Sequence, residues 1–229
     1  MLKVLCTNAL DAVLRELVPE FERASGQRVS VSYKSTNQII DLVKAGEVAD
    51  LLIAGQAAIE ELAAAGNVAG GSSVNLASSG IGVCVRAGAP KPDIHSVDAF
   101  KRALLAAKSV AHTATGQSES YFAGLIDRLG IGDQVRAKAK VSAGGIIGEF
   151  VARGEAELGI QQISEVLAVP GVDLVGPLPP EIQKVTVFAA GICAGTKQAE
   201  AAQALISFLT TAPAQRVMRA KGLEPAEWP

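Results

Sequence analysis

Five times along this chain a short apolar strand runs into a small polar turn, and the turn opens an amphipathic helix. Residues 2–6 lead to Thr7-Asn8, 29–33 to Lys34-Ser35-Thr36-Asn37, and 50–54 to Gly55-Gln56. Residues 108–112 lead to Thr115-Gly116-Gln117-Ser118, and 157–160 to Gln161-Gln162. Repeated strand-to-helix units of this kind build α/β folds with largely parallel strands, because each helix carries the chain back to start a neighbouring strand. Such sheets take their ligands beyond the C-terminal ends of the strands. Helix N-termini there offer unpaired N–H groups and a partial positive charge. The turn residues are mostly hydroxyls, amides and glycines, a suitable lining for a small anion.

Composition narrows the classes. A chain of 229 residues holds one large domain or two small ones. The formal net charge of −2 argues against a nucleic-acid partner, which calls for a basic field. No apolar run approaches the roughly 20 residues that span a bilayer, so membrane insertion is not expected. Cys6, Cys84 and Cys193 sit singly in apolar runs, which fits reduced core thiols rather than a disulfide framework. Neither Cys-x-x-Cys nor His-x-x-x-His spacing occurs, so no metal site is expected. Met1-Leu2-Lys3 enters the first strand directly, with no basic n-region or cleavage site. As written the chain reads as cytoplasmic; it reads as periplasmic if Met1 replaces a removed signal.

The helix after the first turn carries Leu10, Val13, Leu14, Leu17 and Phe21 at helical spacing, with Thr7 or Asn8 as its expected cap and Gly26 as its stop. Helices are expected over 36–45, 57–65, 96–107, 118–129, 145–152, 163–167, 197–209 and 214–221. Two longer β-rich runs, 78–86 and 184–194, read as strands that pass between two lobes. Lobe one is then 1–82 with 188–229, lobe two is 83–187, and a ligand cleft between them closes by a hinge. The competing arrangement is one continuous doubly wound domain.

These stretches together resemble the periplasmic-binding-protein-like solute receptors of type 2, in particular the molybdate-binding type. The resemblance runs through the opening strand and Thr7-Asn8, then Phe21-Glu22-Arg23-Ala24-Ser25-Gly26, Ser35-Thr36, the Ala-Asp-Leu-Leu-Ile-Ala run 49–54, and 80–86. It continues through 121–130, 154–162, 202–208 and Lys221-Gly222-Leu223. It implies an α/β, two-lobed fold with two β-strand crossovers. It also implies a small anionic ligand, an ABC permease as partner, and no cofactor. Carried over by position, the ligand contacts are Thr7, Asn8, Ser35, Thr36, Ser118, Ser120 and Tyr121, plus Gln161 or Gln162, and Lys34 joins them as a candidate from its place in the second turn. Lys34 stands where the molybdate type usually has a small residue, and its ammonium favours a carboxylate over a tetrahedral oxyanion. Some proteins similar to these receptors isomerise unsaturated tricarboxylates such as aconitate.

Each candidate also has an ordinary structural explanation. Ser, Thr and Asn cap helices of every kind, which would account for Thr7, Asn8, Ser35 and Thr36. Lys34 is a normal surface lysine, and Tyr121 packs as a half-buried phenol with its hydroxyl paired. Two functions follow. One is anion binding for an ABC-type transporter. The other is an isomerase that moves a proton on a small polycarboxylate, with His112, Lys34, Glu119 or Tyr121 as the base.

Overall fold

The computed structural model describes residues 1–114, 117–142 and 145–227, and the side chains of residues 117–119 fall outside that description. In chain order the elements are β1 (Leu2–Thr7), a 3-10 turn (Asn8–Leu10), α1 (Asp11–Ser25), β2 (Val29–Lys34), α2 (Thr36–Lys44), β3 (Leu51–Gly55), α3 (Gln56–Ala64) and β4 (Val74–Arg86). There follow α4 (Val97–Ala106), β5 (Val110–Thr113), α5 (Gln117–Arg128), α6 (Gly132–Arg136), β6 (Ala139–Ser142), α7 (Gly148–Ala152), β7 (Leu158–Gln162), α8 (Ile163–Leu167) and β8 (Val172–Pro177). A 3-10 turn (Pro180–Ile182) leads to β9 (Val185–Ile192), α9 (Ala199–Leu209), α10 (Ala212–Ala220) and β10 (Glu224–Pro225). The chain divides into two compact units, Met1–Ser78 with Thr186–Pro229, and Ser79–Val185. β4 and β9 both run across the division.

In the first unit β1 lies parallel between β2 and β3, and β9 pairs antiparallel with β3. α1 buries Val13, Leu14, Leu17 and Phe21 against one face, with α9 and α10 supplying Leu205, Leu209 and Met218 to the same core. The other face buries Leu52 and Ala54 under Ile39, Ile59 and Leu62 of α2 and α3. α1 ends where Gly26 turns to φ 70°, a left-handed conformation that glycine adopts without penalty, and its N–H returns to the Glu22 carbonyl.

The start of α1 differs from expectation. Neither Thr7 nor Asn8 caps it. A 3-10 turn intervenes, α1 begins at Asp11, and its cap position is Leu10, with no side-chain hydrogen bond there. The sharper turn moves the α-helix three residues further along the chain and leaves the Thr7 hydroxyl outside the cap.

In the second unit β5 lies parallel between β6 and β7, and β7 and β8 pair antiparallel with β4. Phe100, Leu104, Phe122, Leu125 and Ile126 from α4 and α5 cover one face; Ile147, Val151 and Val166 cover the other. Gly159 stands opposite Cys84, and a Cβ there would lie 2.7 Å from the Cys84 sulfur, so the close approach of β7 to β4 requires glycine. Cys6, Cys84 and Cys193 are free thiols.

Candidate functional site

In the first unit three parallel strands end side by side. Thr7 of β1 is in register with Lys34 of β2, and Cys6 with Ile53 of β3. Thr7 is buried, Asn8 is half-buried and Lys34 is exposed. Ser35 caps α2: its Oγ accepts the Gln38 N–H at 3.3 Å, while the Gln38 Oε1 accepts the Ser35 N–H at 3.0 Å. Thr36 ties the second turn to the third, its Oγ1 accepting the Gly55 N–H at 3.3 Å. A hydroxyl that accepts from the backbone keeps its own hydrogen for a different acceptor. Ser35 and Thr36 each keep a hydroxyl hydrogen that these two bonds do not use. Beneath this edge, the Nε of Arg15 pairs with Asp11 at 2.5 Å, and its guanidinium lies 5.1 Å from the Tyr33 ring centroid. Burial first, then the Asp11 charge, pushes the Cys6 thiol well up; burial also raises the Tyr33 phenol, so both stay neutral.

In the second unit β5 ends at His112 and Thr113, beside the end of β7. His112 is buried, its ring 5.5 Å from that of Phe122, and its Nδ1 lies 3.1 Å from the Thr113 carbonyl oxygen. A carbonyl only accepts, so in this contact Nδ1 carries the hydrogen. Tyr121 donates its hydroxyl to the Ile182 carbonyl at 2.8 Å, and Arg128 lies over its ring. Ser120 is exposed on α5. Ser118 and Glu119 fall in the first turn of α5, and their side chains lie outside the described residues.

The two glutamines at the end of β7 have separate surroundings. The Gln161 Oε1 accepts the Ile147 N–H at 2.7 Å, and its Nε2 donates to the Gly145 carbonyl at 3.1 Å, so its amide holds the segment that leads into α7. Gln162 stands opposite Ile81 of β4 and cedes its backbone N–H to the carboxyl of Glu165.

Sequence reasoning passed over Glu165, Ser164, Ser79 and Gln183. Burial pushes the Glu165 acid up to about 8, against a smaller opposing effect of the Gln162 N–H. The Ser79 Oγ accepts the Ser164 N–H at 3.4 Å. Gln183 bonds both the N–H and the carbonyl of Ile81, each at 2.9 Å, as a strand neighbour would. The available signal for Glu165 was its place three residues after Gln162, the spacing of a capping box. Among the described residues no group of three or more His, Cys, Asp or Glu side chains gathers as a metal site requires.

Strand-end turns rich in donors, set on two α/β units that β4 and β9 connect, are the architecture of the two-lobed periplasmic binding proteins. The chain belongs to the bacterial extracellular solute-binding protein family, whose pattern matches residues 2–224. A curated relative, aconitate isomerase from a Pseudomonas species, is 37% identical over 98% of this chain and 87% of its own. Among solved structures, the periplasmic molybdate-binding protein of Azotobacter vinelandii superimposes with a TM-score of 0.81 at 20% identity, over 99% of this chain and 100% of that one. The sulfate-binding protein of Mycobacterium tuberculosis gives 0.77 at 20% identity, over 99% and 87%.

Proposed function

We propose that this protein isomerises a small unsaturated tricarboxylate of the aconitate class. The observation that carries the reading is the 37% identity to aconitate isomerase over 98% of the chain. The side chains fit the chemistry such a reaction needs. The substrate has a methylene group bearing one carboxylate and joined to a carbon–carbon double bond. A base removes one methylene proton, and the electron pair spreads over the three-carbon allyl unit and its carboxylates. The proton returns at the other end of that unit, and the double bond moves. No atom is gained or lost.

His112 supplies the base. Its Nδ1 lies against the Thr113 carbonyl, a contact that fixes the orientation of the ring. In the first unit Thr7, Ser35 and Thr36 offer hydroxyls to a carboxylate and the Lys34 ammonium adds a full charge; in the second unit Gln162 ends the strand that lies beside that of His112. Donors fixed before the substrate arrives stabilise the charge that grows during proton removal. Gln161 and Tyr121 act one step back, since their polar atoms hold the 145–147 segment and Ile182.

The fold and family favour a second reading, a receptor that delivers an anion to an ABC permease without altering it. Deuterium exchange into trans-aconitate, followed by NMR in deuterated buffer, separates the two. We expect exchange and double-bond migration in the native protein. In His112→Asn the rate should fall by about 10²- to 10⁴-fold, the usual share of one acid–base group, with affinity within about threefold. Tight binding without exchange establishes the receptor and overturns the isomerase.

A further inference from the structure

Glu165 is a buried ionisable group that the proton transfer above does not employ. It is 8% exposed, and its carboxyl accepts the backbone N–H of Gln162. Next to it, Ser164 is 2% exposed with a hydroxyl that has no partner. Strands β7 and β8 pack on α8, and β4 reaches it through Ser79. β7 has no ionisable side chain. β8 has Asp173, which takes the Gly88 N–H at 3.0 Å. β4 has Cys84, a buried thiol pushed up to about 12, and Arg86 at its exposed far end. No cation of these elements offsets a negative charge on Glu165. At neutral pH it is an uncharged acid that fastens the Gln162 corner, and at higher pH it becomes a buried anion.

We propose that Glu165 is a positioning residue for the anion at the Gln162 corner, and that the anion and a proton on Glu165 are taken up together. The inference rests on the reading above and takes Gln162, at the end of the strand beside that of His112, as a contact of the substrate. An uncharged Glu165 holds that corner without repelling a carboxylate. An ionised one sets a like charge one hydrogen bond from the Gln162 backbone, in surroundings where water screens poorly. Coupling of this kind is reciprocal, so the bound anion raises the hold of Glu165 on its proton.

Titration calorimetry with trans-aconitate between pH 7 and 9.5, in buffers of unequal ionisation enthalpy, tests this. In the native protein, affinity should fall by up to about tenfold per pH unit above about pH 8, with buffer-dependent heat equal to the uptake of nearly one proton per anion. Glu165→Gln, which keeps an acceptor for the Gln162 N–H, should bind with a flat profile and buffer-independent heat. Glu165→Asp should restore the coupling. Buffer-independent heat in the native protein, or equal pH slopes in native and Glu165→Gln proteins, overturns the proposal whatever the variants' stability. Proton-coupled binding without deuterium exchange overturns only the isomerase; failure of trans-aconitate to bind overturns both.

Discussion

Thr7 and Ser35 are similar in sequence context and differ in their bonds. Both are small hydroxyls at the end of an apolar strand, yet Ser35 closes a capping box and Thr7 caps nothing. Helix caps and anion sites draw on the same side chains, since both satisfy backbone or ligand groups at a helix start. Glu165 is another such case. An acid in the first turn of a helix is ordinary in a sequence. Here α8 packs on β7 and β8, and burial turns the acid into a weak one. Stability should report this directly. The folded protein keeps the Glu165 proton until about pH 8, whereas the unfolded chain releases it near the ordinary carboxyl value of 4.5. Between those limits the unfolded state binds fewer protons, so rising pH favours unfolding by up to about 1.4 kcal/mol per pH unit from this group. The contribution is complete at low pH and lost by about pH 8. Urea unfolding of the native protein from pH 5 to 8 should show this fall, and Glu165→Gln should remove it; parallel slopes would exclude it.

At the scale of elements, the strand-turn-helix rhythm was legible because apolar periodicity and helix stops are local. α2, α3, α4 and α5 fall within a residue or two of the expected limits. Elements without a local signal escaped. β6, Ala-Lys-Val-Ser, is a short edge strand whose two central residues are exposed, and only its parallel pairing with β5 makes it a strand. α6 has five residues with few apolar positions. β4 starts at Val74, earlier than the expected 78, because β10 pairs with its first half from the far end of the chain. The candidate site divides in the same way. The turns themselves could be read; the partners of Gln161 and Tyr121 could not, because they are distant in sequence, and the weakened acidity of Glu165 could not, because it depends on burial. Gln161 gives a test at this scale. Gln161→Leu keeps the volume and leaves the buried Ile147 N–H and the Gly145 carbonyl without their partner. We expect a loss of about 1–3 kcal/mol by chemical denaturation, the usual cost of stranding a buried polar group. A change within experimental error would mean that the tie holds nothing in place.

Across the whole molecule, the hydrophobic clusters respect the division of the chain. The two clusters of the first unit draw on residues 2–77 and 188–223, and the two of the second draw only on residues 81–182. The second unit is also continuous in sequence, and the β4 segment from Ser79 onward pairs with β7 and β8 inside it. A segment that carries its own sheet and covers both faces of it meets the requirements of an independent folding domain. The first unit does not, because Leu205, Leu209, Met218 and Leu223 of the C-terminal segment complete the core that α1 begins. Residues 79–185 expressed alone should therefore unfold cooperatively in urea, with an m-value suited to roughly 100 residues. Residues 1–78 alone should show no cooperative transition, and adding the C-terminal segment through a linker should restore one. A cooperative transition in residues 1–78 alone would mean that the core of α1 closes without the C-terminal segment.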